Sequence, residues 1–279
     1  MTWRWIPPIT ADGATQMALD SWMLQQLSAG GGPMLRLYTW SRPTLSLGVH
    51  QTRLEAHWPA LVQAGLIDLV RRPSGGRAVL HGGELTYALV MQPPSRRRLE
   101  AYGQACRWLQ EAFAALGQPL CFGAVAARQA QGRSSCFASG TGADLVHADG
   151  SKRIGSAQLW RGAALLQHGS LLLAPDRTLW RRVFAEEPPP LPPLPGVPPL
   201  GPMALAPLAP LAALLRGAAE RHLCDGPVGD QPLSPLEWQA VDAMRQQRQQ
   251  ALLQEGLGVQ DSPPDCIARA TCGSAMPSG

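Results

Sequence analysis

A proline-rich segment limits what the chain can fold into. Residues 188–211 read PPPLPPLPGVPPLGPMALAPLAPL, and proline at this density fits neither a helix interior nor a central strand, because it lacks the backbone donor. We therefore predict an extended connector that lies across a core built from residues 1–187. Residues 212–257 carry helical patterns, and residues 258–279 are expected to form a disordered tail. A ligand for a proline-recognition domain is the alternative interpretation of the connector.

Composition and charge exclude several classes of protein. With 279 residues and 45% apolar content, the chain can bury a full core. No apolar run approaches the roughly 20 residues that span a bilayer, and the N-terminus lacks a secretory signal, so we expect a cytoplasmic protein without a membrane partner. The net charge of +4 suits an acidic protein partner. We interpret the run Arg96–Arg98 as a solvated loop, and no nucleic-acid partner is expected.

The six cysteines do not have the spacing of a metal site. None belongs to a C-x-x-C pair, and no His/Cys cluster has zinc spacing, so we predict no metal ion. In a cytoplasmic chain these residues are expected to be free thiols.

Strand and helix patterns are mixed without a regular βαβαβ alternation. This predicts an α+β fold with a mixed, largely antiparallel sheet and packed helices. The strands predicted at 34–40 and 44–49 are separated only by Ser41–Pro43, which we interpret as a hairpin-like turn. Further strands are predicted at 66–70, 84–91, 143–147, 152–160 and 163–173, and further helices at 12–27, 54–64, 208–222 and 235–256.

The clearest helical pattern covers residues 101–116. Tyr102 and Cys106 share its apolar face, which predicts that both lie in a core, and Gly117 follows as a stop signal.

The loop RRPSGGR, Arg71 to Arg77, leaves a predicted strand. Paired glycines let a backbone approach a ligand, and flanking arginines suit a phosphate-bearing one. The loop matches neither a P-loop nor a dinucleotide-binding fingerprint. An ordinary glycine turn is the alternative interpretation.

Lys152 is the one lysine of the chain, against 23 arginines. An ammonium is a compact point charge, whereas a guanidinium is larger and planar, so a position that excludes arginine requires an amine. The alternative is that an arginine-biased genome left one lysine by chance. Lys152 begins a strand that runs into Gly155–Ala157, where small side chains permit close approach of a substrate.

Cys136 lies in a polar loop, GRSSCFASG. A neighbouring ammonium would raise the thiolate fraction of such a thiol and make it a nucleophile. An inert loop thiol is the alternative interpretation.

Five segments in one order along residues 14–175 carry a resemblance. They read QMALD from Gln16, LSLGVHQ from Leu45, RRPSGGRAVLHGGELTYAL from Arg71, KRIGSAQ from Lys152 and LLQHGSLLL from Leu165. Together they resemble the biotin/lipoate A/B protein ligase family, and Lys152 falls on the invariant lysine of its K-x-x-G-[ST]-A motif.

Two details resemble one branch of that family, the ligase-like octanoyltransferases. Arg77 follows Gly75-Gly76, and a cysteine, Cys136, precedes the lysine at about the right interval. Gly82 departs from the pattern, since the family usually has an acidic residue after the histidine.

The resemblance implies an acyltransferase with a lipoate/biotin protein ligase-like catalytic domain in residues 1–187. Its cysteine, Cys136, would take octanoyl from acyl carrier protein and pass it to a lysine of a lipoyl domain, such as that of the glycine cleavage H protein. Lys152 would stabilise the oxyanion, and no cofactor would be needed. The alternatives are a lipoate–protein ligase that uses ATP and magnesium, an octanoyl amidotransferase between lipoyl domains, and a non-catalytic protein that binds lipoyl domains or acyl groups.

The resemblance also implies a substrate-binding set. His168 fits a buried structural histidine as well as a site residue. The set comprises Arg71, Arg72, Ser74, Gly75, Gly76, Arg77, His81, Gly155, Ser156, Ala157 and His168.

Overall fold

The computed structural model describes residues 2–123, 144–196, 206–224 and 226–257. The strands are β1 (Arg4–Ala11), β2 (Met34–Trp40), β3 (Thr44–Leu47), β4 (Asp68–Arg71), β5 (Val79–His81), β6 (Glu84–Met91), β7 (Cys121–Phe122), β8 (Leu145–Val146), β9 (Lys152–Arg161), β10 (Ala164–Leu172) and β11 (Gly229–Asp230). The helices are α1 (Gly13–Ser28), α2 (Trp58–Gln63), α3 (Arg98–Ala115), α4 (Arg177–Phe184), α5 (Ala209–His222) and α6 (Pro235–Gln254).

Within these ranges the strands form two sheets. The larger has eight strands in the order β11-β1-β2-β6-β10-β9-β8-β7, and the smaller has the order β4-β3-β5. In the larger sheet β1 pairs in parallel with β2 and β11, and the remaining pairs are antiparallel. The predicted α+β fold with a mixed, largely antiparallel sheet is confirmed.

Both faces of the larger sheet are covered by helices. Helices α1 and α6 pack together over one face, and α3 and α5 pack together over the other. Strands β6 and β10 are therefore buried along their whole length, which explains their nearly continuous apolar sequences. Helices α2 and α4 enclose a third apolar cluster beneath the smaller sheet.

Local sequence signals account for the helix ends. The Asp12 side chain accepts a hydrogen bond from the Thr15 backbone at 2.7 Å and caps α1. Ser234 and Glu237 form a reciprocal capping box at the start of α6. Gly117, with a φ of +69°, follows the end of α3, as the sequence predicts.

The predicted hairpin between residues 34–40 and 44–49 is wrong. Strand β2 pairs with β1 and β6 in the larger sheet, whereas β3 pairs with β4 and β5 in the smaller one. The Ser41–Pro43 turn therefore passes the chain from one sheet to the other. Helix α2 is also shorter than the predicted 54–64, and the sequence patterns did not predict α4.

The patterns also missed strand β1, which contains Pro7 and Pro8. Its register shifts between Ile6 and Ile9, and β11 pairs only with Arg4 and Trp5. The prolines therefore lie at an irregular, unpaired stretch of the strand, which is where a sheet tolerates a residue without a backbone donor.

The first part of the proline-rich segment lies against the core. Residues 188–196 adopt neither helix nor strand, and the Leu194 side chain is buried in the largest apolar cluster. The buried Arg153 guanidinium donates to the Leu172 carbonyl at 2.8 Å and to the Pro192 carbonyl. The segment therefore covers the end of β10.

Candidate active site

A cavity of about 390 Å³ lies between the two sheets. Its volume is in the range of small-molecule sites. Residues of α1, α3, the loop between β4 and β5, and strands of both sheets form its walls. The lining residues are Met17, Tyr38, Trp40, Ser46, Arg72, Gly75, Gly76, Arg77, Val79, His81, Thr86, Tyr102, Asp144, Gly155, Ser156, Ala157, Gln158, His168, Gly169 and Ser170.

Nine of the eleven residues predicted to bind substrate line this cavity. They come from two segments that are more than 70 positions apart in the sequence. The segments meet in the fold because β6 and β10 place the glycine-rich loop opposite the beginning of β9. Their roles toward a substrate stay predictions. The nine are Arg72, Gly75, Gly76, Arg77, His81, Gly155, Ser156, Ala157 and His168.

Arg72 holds the glycine-rich loop in shape. Its guanidinium donates to the Ser46, Gly75 and Arg77 carbonyls at 2.7–2.8 Å. A Cβ on Gly76, whose φ is +98°, would lie 2.8 Å from an Arg72 nitrogen, and a Cβ on Gly48 would lie 2.0 Å from the Gly76 carbonyl oxygen. Glycine is therefore required where these two backbone segments meet.

Arg71 points away from the cavity. Its guanidinium donates to the Gly48 and Gln51 carbonyls at 2.9 Å and forms an ion pair with Glu255, just beyond α6. The Arg248 side chain of α6 donates to the Arg71 carbonyl. Arg71 thus joins the loop to the C-terminal helix, so the geometry gives it a structural contact rather than a place in the cavity wall.

A buried hydrogen-bonded chain runs from Asp20 through His168 to Ser74. The His168 Nδ1 atom lies 2.7 Å from Asp20 Oδ2, and its Nε2 atom lies 2.5 Å from Ser74 Oγ. Because an ionised carboxylate only accepts, we assign the proton on Nδ1 to the bond with Asp20. Ser74 therefore lies behind the cavity wall and connects the glycine-rich loop to β10.

Asp20 also neutralises the buried Arg36. Its Oδ1 accepts from Arg36 at 2.5 and 3.1 Å, and its Oδ2 accepts from Tyr38 at 3.0 Å. Burial by itself would raise the pKa of Asp20, but the Arg36 charge and the hydrogen bonds from His168 and Arg36 hold that pKa below its usual value. Asp20 is therefore an ionised carboxylate in the core.

His81 belongs to a second polar group in the cavity wall. Its Nδ1 lies 2.6 Å from Glu84 Oε1, its Nε2 lies 2.8 Å from Ser46 Oγ, and its ring stacks on Trp40. Burial lowers the pKa of His81 more than the Glu84 charge raises it, so the ring is neutral at pH 7. The Gly82 backbone also donates to Glu84 at 2.7 Å. The resemblance leads to the expectation of an acidic residue directly after His81, where this chain has Gly82. Glu84 supplies the carboxylate that contacts His81 instead.

Lys152 does not itself line the cavity, but it is buried and paired with a residue that does. Its side chain is 3% exposed, and its Nζ lies 2.9 Å from Oδ1 of Asp144, which is 4% exposed and lines the cavity. Strand β9 continues from Lys152 to Gly155, Ser156 and Ala157, so the ammonium and the small-residue wall share one strand. A buried, paired ammonium can donate hydrogen bonds to a developing oxyanion.

Cys136 lies outside the described residues, so its predicted role as a nucleophile stays a prediction. Among the described cysteines, Cys106 is buried, and burial raises the pKa of its thiol to about 12, which excludes it as a nucleophile at neutral pH. Cys106, Cys121 and Cys224 are thiols that form no disulfide with one another.

The described ranges contain no group of three or more His, Cys, Asp or Glu side chains placed to hold a metal ion. None of their helices combines the length and apolar character needed to cross a bilayer.

Sequence reasoning gave no site role to three residues that lie in the cavity wall or behind it. Asp144 carries no local motif, and Asp20 was noted only within a matching segment, since its partner His168 is 148 positions away. Tyr102 packs against the largest apolar cluster, as helical phase predicts, and it also lines the cavity. The helical period identifies the inner face of α3 and cannot tell which inner positions pack against side chains and which border an empty volume.

Comparison with solved structures identifies the fold. The structure titled as lipoate-protein ligase A bound with ATP aligns with a TM-score of 0.68 at 16% identity, covering 92% of this chain and 100% of that one. The structure of a bi-partite lipoate protein ligase from Thermoplasma acidophilum aligns with a TM-score of 0.65 at 15% identity, covering 93% and 98%. The protein is therefore in the class of α+β proteins with the lipoate–protein ligase fold.

Comparison of sequences identifies the family. Residues 12–189 match the lipoyl protein ligase A/B catalytic domain, and the chain belongs to that family. It is 39% identical over 187 residues to a protein named octanoyltransferase LipM from Carboxydothermus hydrogenoformans, covering 63% of this chain and 66% of that protein. It is 36% identical over 180 residues to octanoyltransferase LipM from Moorella thermoacetica, covering 62% and 65%. The match spans just under two thirds of these relatives' length.

Proposed function

We propose that the protein is a cytoplasmic octanoyltransferase of protein lipoylation. It would move octanoyl from the phosphopantetheine thioester of acyl carrier protein to a lysine of a lipoyl domain, such as that of the glycine cleavage H protein. The observation that carries the proposal is the buried Lys152 ammonium, held by Asp144 beside a cavity of small-ligand size. The names of the relatives from Carboxydothermus and Moorella support the choice of octanoyl transfer.

The first proposed step loads the enzyme. The Cys136 thiolate attacks the thioester carbonyl of the donor and forms a new carbon–sulfur bond. The donor's carbon–sulfur bond then breaks, and the phosphopantetheine sulfur leaves and takes up a proton as the free thiol. The Lys152 ammonium donates to the carbonyl oxygen while it carries negative charge. Its positive charge also favours the thiolate.

The second proposed step unloads the enzyme onto the acceptor. The neutral ε-amine of the acceptor lysine attacks the Cys136 thioester, an amide forms, and Cys136 leaves as the thiolate while the amine loses its proton. Both steps begin from an activated thioester, so the reaction requires neither ATP nor a metal ion. The acyl chain would lie in the cavity among Met17, Tyr38 and Trp40, which are partly or wholly apolar.

Intact mass spectrometry tests the nucleophile. After mixing with octanoyl-acyl carrier protein without ATP, we expect one octanoyl group on the chain that hydroxylamine removes, as a thioester requires. Cys136→Ser should not acquire it, whereas Cys121→Ser, a matched change at an exposed thiol, should. Transfer to a lipoyl domain at the wild-type rate by Cys136→Ser would refute the assignment. Activity that appears only with free acid, ATP and magnesium would instead indicate a ligase.

The role of Lys152 is tested by Lys152→Arg. Loss of one oxyanion donor costs roughly a hundredfold to a thousandfold in rate, and we expect the arginine variant to lose a large part of that because a planar guanidinium does not occupy the same position. Single-turnover loading is the measurement, and Arg107→Lys, on the exposed side of α3, is the control. A Lys152→Arg enzyme that loads at the normal rate would mean that charge alone suffices there.

A further inference from the structure

A second cavity, of about 270 Å³, adjoins the first. The two share Gly75, Tyr102 and Gln158 as walls, so they adjoin each other beside the glycine-rich loop. The second cavity is lined by Val49, His50, Pro73, Gly75, Arg98, Tyr102, Gln158, Leu159 and Trp160.

The walls of this second cavity differ in character from those of the first. The apolar members of the lining are Val49, Pro73, Leu159 and Trp160, and no described residue of the lining carries a carboxylate. The one full positive charge among the described residues of the lining is Arg98, the last residue of the arginine run and the first residue of α3. The chemistry therefore suits a ligand that is mostly uncharged along its length and anionic at one point.

Arg98 is available to such an anion. Its neighbour Arg97 forms an ion pair with Glu100, but within the described residues Arg98 is exposed and makes no hydrogen bond or ion pair. An arginine that already lines a cavity and has no internal partner can donate two hydrogen bonds to phosphate oxygens without breaking a contact of the fold.

The length of β9 fits an extended arm. Gly155 borders the first cavity and Trp160 the second, and the rise of a strand puts their Cα atoms about 17 Å apart. Gln158, between them, borders both cavities. An extended chain with its acyl end in the first cavity would therefore be long enough to reach the second along β9.

We propose that the second cavity binds the phosphopantetheine arm of the acyl donor, with Arg98 binding the phosphate. This inference rests on the proposed function and adds a subsite for the donor. The two amides of the arm would lie among the apolar residues of the lining and beside the Gln158 side chain, and the phosphate would mark the point where the arm joins the carrier protein.

The test removes two groups, the phosphate of the donor and the side chain of residue 98, first singly and then together. Loading of octanoyl onto the full-length protein is measured with octanoyl-pantetheine, which lacks the phosphate, with octanoyl-phosphopantetheine, and with octanoyl-acyl carrier protein. We expect wild-type kcat/KM to rise about tenfold when the phosphate is present, as charge-assisted hydrogen bonds of this kind allow. Arg98→Ala should abolish that gain, chiefly through KM, and should leave kcat/KM with octanoyl-pantetheine unchanged.

Arg107→Ala, on the same helix and outside both cavities, is the matched control and should keep the gain. A second measurement starts from protein already carrying octanoyl and follows transfer to a lipoyl domain, which Arg98→Ala should not slow. An Arg98→Ala protein that keeps the phosphate gain, or one slowed equally with the phosphate-free donor, overturns the inference and leaves the proposed function intact. A slowed second step assigns the cavity to the acceptor and also overturns it. Absence of loading from every thioester refutes the proposed function, and the inference with it.

Discussion

Asp20→Asn should destabilise the fold by more than any other isosteric change near the cavity. Asp20 accepts four hydrogen bonds, two from Arg36 at Oδ1 and one each from Tyr38 and His168 at Oδ2. Asparagine keeps the shape but has one acceptor oxygen. Whichever way the amide turns, its NH₂ group faces donors, either the Arg36 guanidinium or the Tyr38 hydroxyl and the His168 ring.

The loss of charge adds to the loss of acceptors. The Arg36 side chain is 1% exposed and Asp20 is fully buried, so the substitution leaves a guanidinium in the core without a counter-charge. Removal of one partner of a buried ion pair typically costs about 3–5 kcal/mol, and we expect that range for the free energy of unfolding. For a chain of this size it corresponds to a fall of roughly 10 °C in Tm.

Urea unfolding followed by circular dichroism measures the effect. Asp176→Asn is the matched control, because Asp176 caps α4 at an exposed position and asparagine caps a helix about as well. The double variant Asp20→Asn/Arg36→Met removes both charges and should recover part of the loss. If Asp20→Asn lowers the free energy of unfolding by less than about 1 kcal/mol, the view that Asp20 compensates the charge of Arg36 is refuted.

The same carboxylate gives a pH dependence with a defined sign. The pKa of Asp20 in the fold lies below its unfolded value of about 4. The stability that Asp20 contributes is therefore complete above pH 4 and is lost as the pH falls through the lower folded value. The gap in stability between wild type and Asp20→Asn should narrow in acid.

Two further changes test the walls of the cavity. Gly48→Ala places a Cβ 2.0 Å from the Gly76 carbonyl oxygen, so we expect a large loss of acyl loading with near-normal circular dichroism. The control is Gly103→Ala, where a Cβ meets nothing within 4 Å, and this change should stabilise α3 by about 0.5–1 kcal/mol. A Gly48→Ala protein that loads normally would show that the loop tolerates displacement. Because the pKa of His81 in the fold is below its unfolded value of about 6.5, its contribution to stability should decline as the pH falls below 6.5. When the free energy of unfolding is measured in urea from pH 5 to 8, it should depend less steeply on pH in His81→Gln than in the wild type. An equal pH dependence in the two proteins would contradict a neutral buried ring.

Sequence reasoning predicted the parts of the site whose chemistry is local. The RRPSGGR loop was predicted from its own glycines and arginines, and Lys152 from its rarity in the chain. The interpretation of Arg71 and Arg72 as equivalent ligands did not anticipate the geometry, because successive residues leaving a strand point to opposite sides. Arg72 faces the cavity and holds its own loop, whereas Arg71 reaches α6.

What the sequence did not reveal depends on long-range pairing. The chain from Asp20 through His168 to Ser74 connects three segments, and no spacing rule relates them. The assignment of β2 and β3 to different sheets follows from the partners of each strand, which a short turn between two strand patterns cannot specify. Strand β1 was missed because its two prolines outweigh its apolar residues in any local propensity.

Lys152 and Arg153 show why the chain uses an amine at one position and a guanidinium at the next. Both side chains are buried, and β9 directs them to opposite faces of the sheet. Arg153 is enclosed by acceptors fixed in the fold, the His147 ring nitrogen at 2.9 Å and two backbone carbonyls, so its planar array of donors is used within the structure. Lys152 meets the Asp144 carboxylate beside the cavity, where an ammonium places a compact point charge with three donors. A guanidinium placed there would need several fixed acceptors, as Arg153 has, and would extend into the volume that the acyl thioester is proposed to occupy.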